Sequence, residues 1–417
     1  MAAHCLLVTP LPLTNLRQNT HGTYRRLRML AQAVRASGAS LTVATIVPPD
    51  TEQSIVAALP AHVEADLKEV WGIDATVRVA RCGPPSRLPW LAQQLRGVLG
   101  YGQGPGMRQM ASAELKALLR SEVGAKSSQF IVAHRLASMS VVMRFVARGA
   151  LIYFDMDDVE HIFVLRSLRT TTSLRNRLFG VLALPALLYA EWRALRNAQQ
   201  SFVCSTRDAR HLSSFFRTRT VQVLPNAVPI PRAADAPPAG QTLLMVGVYA
   251  YGPNADAAEF FINDIFPLVR QRYPQAQLLL AGAGADGLAS YGKAPPNVQF
   301  LGYVDDLAAL YEAARIVVCP VRYGGGTRVK LVEAAAWGKA IVTTTLGAEG
   351  LGMRPDHDAL FADRAREFAD ACARLMRDDA LCATLGRNAR QLAREQFDQE
   401  RIIARLAGQF PGSVAAP

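Results

Sequence analysis

The sequence lacks long apolar runs, a signal-peptide pattern and closely spaced cysteine pairs. Its 417 residues contain no uninterrupted run of about 18 apolar residues, so we expect no transmembrane helix. The first residues, M-A-A-H-C-L-L-V-T-P, have no basic region before their short apolar run, which predicts a first strand rather than a signal peptide. The six cysteines have no C-x-x-C spacing, and a reduced cytoplasmic setting fits them best.

Acidic residues are scarce in the first half of the chain. Residues 1–230 contain 27 Lys or Arg against 14 Asp or Glu, a charge of +13. Residues 231–417 contain 19 against 20, a charge of −1, so the whole excess of +12 lies in the first half. A basic half predicts an anionic partner, and the alternative is a solvated basic surface. Nucleic acid is disfavoured as that partner, because the basic residues are scattered without a recognition motif.

Short apolar runs alternate with helical patterns along the chain, which predicts βαβ units and parallel sheets. A glycine-rich segment, residues 97–106, is predicted to be a mobile surface loop. The predicted strands are residues 5–9, 41–47, 76–80, 130–133, 151–154, 201–204 and 221–224, then 242–248, 277–281, 298–301, 316–319 and 340–343. The predicted helices include residues 24–36, 255–273, 307–314, 364–395 and 399–409.

A proline-rich linker separates the two series of strands. Residues 229–241, P-I-P-R-A-A-D-A-P-P-A-G-Q, contain four prolines and are predicted to form a stiff connection without a core. We therefore expect an N-terminal domain over residues 1–228 and a C-terminal domain over 242–395.

One stretch, residues 320–351, has the pattern of an anion site. An apolar strand leads into Gly324, Gly325 and Gly326, and a helix carrying Thr327, Arg328, Lys330 and Glu333 is predicted to follow. Glycines before a helix let the backbone approach a ligand, and the helix start offers free N–H donors. Cations in the first turn suit a diphosphate, and a carboxylate one turn later suits sugar hydroxyls. The pattern therefore indicates a nucleotide-sugar.

The stretch G-G-G-T-R-V-K-L-V-E-A-A-A-W-G-K-A-I-V-T-T-T, followed by G-A-E-G-L, resembles the donor-site signature of retaining glycosyltransferases of family 4, within the glycosyl transferases group 1. It is most similar to the bacterial polysaccharide-biosynthesis branch. The resemblance implies the α/β GT-B fold, with two Rossmann-like, doubly wound parallel-sheet domains facing a central cleft and a tail helix, residues 396–417, returning to the first domain. An ordinary strand–loop–helix of another α/β protein is the alternative.

The resemblance also implies donor-binding roles. Glu333 would hold the ribose hydroxyls, and Lys330 would contact the diphosphate and serve as a catalytic group. Gly325 occupies the place of the first carboxylate of the family's E-x7-E pattern, which leaves the sugar open. Backbone amides of the glycine run or Tyr323 would cover that region. The expected donor-binding residues are Gly22, Gly247, Gly302, Val304, Gly325, Gly326, Thr327, Arg328, Lys330, Leu331 and Glu333.

Loops after other strands of the second domain add to this site. In the segment V-G-V-Y-A-Y-G-P-N-A-D, Gly247 would allow close approach to the donor and Asn254 would cap the next helix. The loop L-L-L-A-G-A-G, residues 278–284, matches the family's nucleotide-contacting loop. The backbone at Gly302 and Val304 would pair with the nucleobase. The Arg and Lys that the family often has after the first strand of this domain are missing, which gives Lys330 more weight.

The first domain supplies the other expected catalytic group. His134 ends the strand F-I-V-A-H and matches the family's active-site histidine, which contacts the donor sugar. In T-H-G-T, residues 20–23, only Gly22 remains of the family's Gly-Gly loop. A structural histidine at a strand end is the alternative for His134.

Asp155, Asp157 and Asp158 follow the strand L-I-Y-F and are expected to line the acceptor side. Two carboxylates with one residue between them also suit a divalent cation. We favour the acceptor role, because the nucleotide signature lies in the other half of the chain. No metal or other cofactor is expected.

Residues 166–196 combine six arginines with the apolar run L-F-G-V-L-A-L-P-A-L-L-Y. The apolar run is too short to span a bilayer, so the segment is predicted either to lie on an anionic membrane or to form a core helix with a solvated basic face.

Together these features predict a retaining glycosyltransferase that moves a sugar from a nucleoside diphosphate sugar to a lipid-linked glycan. Two alternatives remain open. One is a nucleotide-sugar epimerase of the same fold, and the other is a nucleotide-sugar-binding protein that has lost catalysis.

Overall fold

The structure is a computed structural model that describes residues 3–14, 16, 22–84, 89, 92, 110–125, 129–145, 150–170, 173–232, 238 and 240–412. Packing divides the chain into two compact units, Met1–Leu224 with Arg401–Pro417, and Pro225–Glu400. The first division falls four residues before the predicted end of the first domain, and the tail joins the first unit from Arg401 rather than from residue 396. The glycine-rich segment 97–106 lies outside the described residues.

A parallel sheet of seven strands forms the centre of the first unit, within the part of the chain that is described. The strands are β1 (His4–Val8), β2 (Ser40–Val47), β3 (Thr76–Arg81), β4 (Gln129–His134), β5 (Leu151–Asp157), β6 (Gln200–Val203) and β7 (Val221–Val223). They lie in the order β3-β2-β1-β4-β5-β6-β7. All five residues of β1 are buried, as expected of a central parallel strand covered on both faces.

Helices connect these strands. They are α1 (Gly22–Ala36), α2 (Gln53–Trp71), α3 (Ala113–Ala125), α4 (Arg135–Phe145), α5 (Glu160–Thr170), α6 (Leu174–Asn197) and α7 (Thr206–Phe215).

The second unit repeats this plan with six parallel strands, β10-β9-β8-β11-β12-β13. Its strands are β8 (Thr242–Val246), β9 (Gln277–Ala281), β10 (Val298–Gly302), β11 (Ile316–Cys319), β12 (Ala340–Thr343) and β13 (Leu360–Phe361). Its helices are α8 (Gly252–Phe260), α9 (Phe266–Arg272), α10 (Ala308–Ala313), α11 (Val329–Ala336), α12 (Ala365–Arg377) and α13 (Asp379–Gln396), and α14 (Gln399–Ala407) crosses the division between the units.

Both sheets have the doubly wound Rossmann order, in which the first strand is central and the chain then moves to its other side. The predicted fold class, two Rossmann-like parallel-sheet domains, is therefore confirmed. The short edge strand β13 was not predicted, since two residues give no readable pattern.

The predicted helix 255–273 is not continuous. A π-helical turn, Phe261–Ile265, separates α8 from α9. Pro267 lies at the start of α9 and has no N–H to donate, and its ring would clash with the carbonyl four residues earlier in a regular helix. The proline therefore explains the local widening of the helix.

The apolar part of residues 166–196 lies in α6, a helix of 24 residues. By length and composition alone, α6 could cross a membrane, and 28% of its most apolar 18-residue window is buried. The exclusion of a bilayer-spanning helix by length is therefore wrong. Core helices of globular proteins pass the same test, so the finding is weak evidence for a membrane span.

The C-terminal tail packs on the sheet of the first unit through one aromatic side chain. Phe410 is buried and stacks on Phe130 of β4 at 5.3 Å between ring centroids. Tyr153 of β5 meets the edge of Phe410 at 5.0 Å and donates a hydrogen bond to the carbonyl of Gln409 at 3.0 Å. These contacts hold the tail against β4 and β5.

We expect Phe410→Ala to destabilise the first unit by about 3–5 kcal/mol, because it removes a buried ring and leaves a cavity. Amide hydrogen exchange of β4 and β5 measures the loss. Phe163→Ala, at a ring that is 38% exposed in the same unit, is the matched control and should cost about 1 kcal/mol or less. Equally slow exchange in Phe410→Ala and the wild type would contradict this role of the tail.

Candidate functional site

The functional groups of the second unit collect at the switch point of its sheet. Strand β8 pairs with β9 on one side and with β11 on the other, and both pairings are parallel. Loops that leave the carboxyl ends of β8 and β11 therefore start at neighbouring points on one edge. In open α/β sheets this crevice is where ligands bind.

The loop after β11 is the glycine run predicted from the sequence. Gly324 and Gly326 have φ of 118° and 65°, a region that side chains with a Cβ rarely adopt. Helix α11 starts at Val329, so Thr327 and Arg328 belong to the loop, not to the helix as predicted. The glycine run thus continues into an irregular segment that places backbone amides beside the first turn of α11.

The side chain of Arg328 stabilises this loop by bonding to the backbone of the loop. Its Nη1 donates to the carbonyl of Gly325 at 2.7 Å and also to that of Gly326, and the residue is buried. A guanidinium used in this way shapes the loop. The expected contact of Arg328 with a diphosphate stays a prediction, as does that of Lys330.

Lys330 projects from the first turn of α11 to the neighbouring loop. Its Nζ donates to Asn254 Oδ1 at 2.8 Å. Burial lowers the pKa of Lys330, the nearby Arg328 lowers it further, and Cys319 and Glu333 oppose the shift. The prediction that Asn254 caps the next helix is wrong. Asn254 lies inside α8, which begins after Tyr251, and the described residues show no side-chain hydrogen bond at this cap.

The glycines of the loop after β9 serve packing. A Cβ on Gly282 would lie 1.7 Å from the carbonyl oxygen of Gly247, and one on Gly284 would lie 2.7 Å from the nitrogen of Ala250. Both distances exclude a larger residue. The A-G-A-G pattern therefore lets this loop approach the backbone after β8.

The remaining residues predicted to bind the donor differ in how accessible they are. Glu333 is partly exposed and lies 3.4 Å from the hydroxyl of Tyr311. Gly302 ends β10 with φ of 65°, and Val304 is partly buried in the following loop. Leu331 has no exposed surface and packs in the core, so its side chain is not available to a donor.

The first unit has its own switch point, between β1 and β4. His134 ends β4, and its Nδ1 lies 3.0 Å from Oγ1 of Thr9, the residue after β1. Gly22 is the first residue of α1 and is partly exposed. Thr20 and His21, two other members of the quoted segment, lie outside the described residues.

His134 is fully buried, and burial lowers its pKa to about 3. Its Nε2 has no hydrogen-bond partner among the residues that the structure describes, and lies 3.8 Å from Asp155 Oδ2. A carboxylate at that distance favours the tautomer with hydrogen on Nε2. His134 is therefore a neutral imidazole that offers an N–H donor.

The three aspartates of β5 and its end do not form one surface. Asp155 is fully buried and receives hydrogen bonds from Nε and Nη2 of Arg26, a residue that is itself 1% exposed. Asp157 is buried with φ of 58°, and its Oδ1 lies 3.7 Å from Arg26 Nε. Asp158 is partly exposed. Asp158 is thus the most accessible of the three, while Arg26 hydrogen-bonds Asp155 and lies at ion-pair distance from Asp157. The acceptor-side role of all three stays a prediction.

The hydrogen bonds of three side chains in these arrangements were not predicted from the sequence. Arg26 lies in the predicted helix 24–36, where nothing in the sequence singles it out. Asn226, in the P-N-A-V segment, donates to Thr327 Oγ1 at 2.9 Å. The amide of Asn254 bonds Lys330. The P-N pair at the end of β7 is the only sequence signal for Asn226, and it marks a turn.

We expect the ring signals of His134 in NMR spectra to stay constant from pH 8 to about 5, because a pKa of about 3 keeps the ring neutral throughout. The same protein in urea is the control, since there all seven histidines are solvated and titrate. A titration of His134 near pH 6.5 in the folded protein would contradict its burial beside Arg26.

Comparison with known proteins shows that part of the chain is similar to a known family. Residues 240–378 match the sequence profile of the family described as glycosyl transferases group 1. The phosphatidyl-myo-inositol mannosyltransferase of Mycobacterium tuberculosis is 35% identical over 135 residues, which are 30% of this chain and 35% of that protein. The match thus spans about a third of the length of this curated relative.

Solved structures share the fold over both units. Sucrose-phosphate synthase of Thermosynechococcus elongatus superposes with a TM-score of 0.68 at 18% identity, covering 98% of each chain. HepE of Anabaena in complex with UDP-glucose gives a TM-score of 0.63 at 17% identity, covering 97% of this chain and 98% of that one. The fold is therefore GT-B. Residues 240–378, which carry the glycine loop and Lys330, are similar to the glycosyl transferases group 1 family.

Proposed function

We propose that the chain is a glycosyltransferase that takes a sugar from a nucleoside diphosphate sugar and transfers it to an acceptor with retention of configuration, as in family 4. The main support is the position of the Lys330 ammonium. It donates to Asn254 and lies beside the glycine loop, at the switch point between β8 and β11. This arrangement combines a cation, backbone amides and a crevice in the unit that matches the family. The UDP-glucose complex of HepE, a protein of the same fold, supports a nucleotide-sugar donor.

The donor is proposed to bind along the loop after β11. Lys330 and the amides of Gly326 and Thr327 contact the diphosphate, and Glu333 accepts hydrogen bonds from the ribose. Gly247, Gly302 and Val304 supply backbone surface to the donor. Arg328 acts indirectly, since it holds the carbonyls of Gly325 and Gly326 away from the anion.

Catalysis in this proposal is electrostatic. As the bond from the sugar to the diphosphate breaks, negative charge grows on the leaving phosphate and positive charge on the sugar. A preorganised ammonium and backbone amides stabilise the leaving group most when that charge is developing. The acceptor hydroxyl attacks on the face that the diphosphate leaves. His134 is proposed to contact the donor sugar, as the family resemblance implies. Because its ring is fully buried, this contact requires the end of β4 to open when the donor binds.

The reaction is proposed to need no metal. Arg26 neutralises Asp155 and lies within 3.7 Å of Asp157, so a cation of the protein already occupies the position that the aspartate pair would offer to a metal ion. Leaving-group charge is then balanced by Lys330.

The acceptor is proposed to be a lipid-linked glycan that the first unit binds at the inner face of the cytoplasmic membrane, in exopolysaccharide, capsule or cell-envelope glycan synthesis. The name of the mycobacterial relative, an enzyme acting on a phosphatidyl-inositol, supports a lipid acceptor. Helix α6 exposes Leu174, Leu178 and Val181, and Arg175 and Arg177 lie among them. Apolar side chains beside cations suit peripheral contact with anionic lipid.

A screen of nucleoside diphosphate sugars with the purified protein and membrane lipid extract tests the proposed reaction. We expect release of nucleoside diphosphate that depends on both donor and extract. Lys330→Met should lower kcat/KM about tenfold to a hundredfold, because a charge-assisted contact to the leaving group is lost. Lys293→Met, at an exposed lysine of the same unit, is the matched control and should leave kcat/KM unchanged.

Other outcomes of the screen point to other functions. Epimerised sugar without extract would indicate a nucleotide-sugar epimerase. Donor binding without turnover on any acceptor would indicate a binding protein, which Gly325 in place of a carboxylate would fit. Either result overturns the proposed transfer.

Flotation with vesicles that contain phosphatidylglycerol tests the membrane contact. We expect the protein to float at low salt and to remain in solution at high salt, because about 1 kcal/mol per surface cation is screened. Leu178→Glu with Val181→Glu should abolish flotation. Ile55→Glu, at an exposed apolar residue of α2, is the control and should float normally. Protein that stays in solution at every salt concentration contradicts membrane contact.

A further inference from the structure

The side chain of Asn254 joins Lys330 to the backbone that follows β8. Its Oδ1 accepts from Lys330 Nζ at 2.8 Å, and its Nδ2 donates to the carbonyl of Val248 at 2.9 Å. An ammonium can only donate and a carbonyl can only accept, so the two partners fix the orientation of the amide. Asn254 is thus held at both ends.

Gly247 leaves the space that this arrangement needs. A Cβ at that position would lie 3.0 Å from Lys330 Nζ and 3.1 Å from Asn254 Nδ2. Both distances are tighter than ordinary contacts, so a side chain at position 247 would require Lys330 or Asn254 to shift by a few tenths of an ångström. Backbone bonds from Asn254 and Ala255 to the carbonyl of Tyr251, at 2.9 and 3.1 Å, fix the start of α8. The acceptor for Lys330 is therefore built into a rigid turn.

The surroundings of Lys330 as a whole disfavour an ammonium. Arg328 faces it from the loop and disfavours the charge, while Glu333 of α11 and Cys319 of β11 favour it. Burial is the largest effect and lowers the pKa of Lys330. A hydrogen-bond acceptor on the ammonium opposes that cost, since it stabilises the charged form.

We propose that Asn254 is a positioning residue, which aims the Lys330 ammonium at the diphosphate of the donor and keeps it protonated. The inference rests on the glycosyltransferase function proposed above. An ammonium has three N–H donors, and the bond to Asn254 uses one of them. Two donors remain for phosphate oxygens, so the asparagine orients the lysine without competing for the ligand.

Competitive acetylation of the full chain tests the first part of this proposal without any sugar donor. Only the neutral amine reacts, so the labelling of Lys330 measured by peptide mass spectrometry against pH reports its protonation. In Asn254→Ala the labelling midpoint should move down by about one pH unit, because the charged form loses an acceptor. Asn254→Leu, which keeps the side-chain volume, should give the same shift.

Asn263→Ala is the matched control. It removes an amide of the same helical segment that bonds Glu259 and Ser290 instead of a lysine, and it should leave the Lys330 midpoint unchanged. An unchanged midpoint in both Asn254→Ala and Asn254→Leu overturns the proposal.

A double-mutant cycle tests the effect on turnover. Asn254→Ala should lower kcat/KM about tenfold and move the alkaline limb of its pH profile to lower pH. In a Lys330→Met background the same change should have no further effect, since Asn254 acts through Lys330. Equal losses in both backgrounds overturn the positioning role. A wild-type protein without turnover would instead overturn the glycosyltransferase function, and the labelling result would stand.

Discussion

The parallel pairing of β8 with β11 is the constraint on which the second unit depends. The chain builds β8, β9 and β10 outward on one side and then returns to place β11 on the other. Every loop at the carboxyl end of these strands then lies along one edge, and the loops after β8 and β11 become neighbours although about 75 residues separate them. The Lys330–Asn254 hydrogen bond spans this separation and is a direct product of the strand order.

The glycine loop shows how a motif divides its work between backbone and side chains. Positive φ angles at Gly324 and Gly326 turn the chain, and the carbonyls exposed by that turn need donors. The guanidinium of Arg328, two residues after Gly326, donates hydrogen bonds to the carbonyls of Gly325 and Gly326. Its cation is thereby used to stabilise the loop, while Lys330, two residues later, donates to the side chain of Asn254. Two neighbouring basic residues thus have different hydrogen-bond partners.

The first unit places a buried polar network at its own switch point. Arg26 of α1 bonds Asp155 on β5 and the carbonyl of Leu224, and His134 lies beside this pair with Thr9 on its other nitrogen. A buried arginine and carboxylate are costly to desolvate and are stable only when hydrogen bonds satisfy both. The network therefore fixes the ends of β1, β4 and β5 relative to α1, and burial beside it keeps His134 neutral by lowering its pKa.

The sequence by itself determined the fold class, because alternating apolar runs and helical patterns have only a few arrangements. The glycine-rich signature carried the resemblance to the glycosyl transferases group 1. Most strands lie within one or two residues of their predicted bounds, since apolar runs such as Ile316–Cys319 end at clear turn residues. The π-helical turn and the short β13 depend on contacts that a local pattern does not carry. Only the tertiary structure decided which partner each polar group has. The local pattern indicates a basic helix residue for Arg26, a helix cap for Asn254 and a turn for Asn226. Their hydrogen-bond partners lie 129, 76 and 101 positions away in the chain, respectively. Hydrogen bonds over such separations follow from strand order, and strand order is a property of the folded sheet.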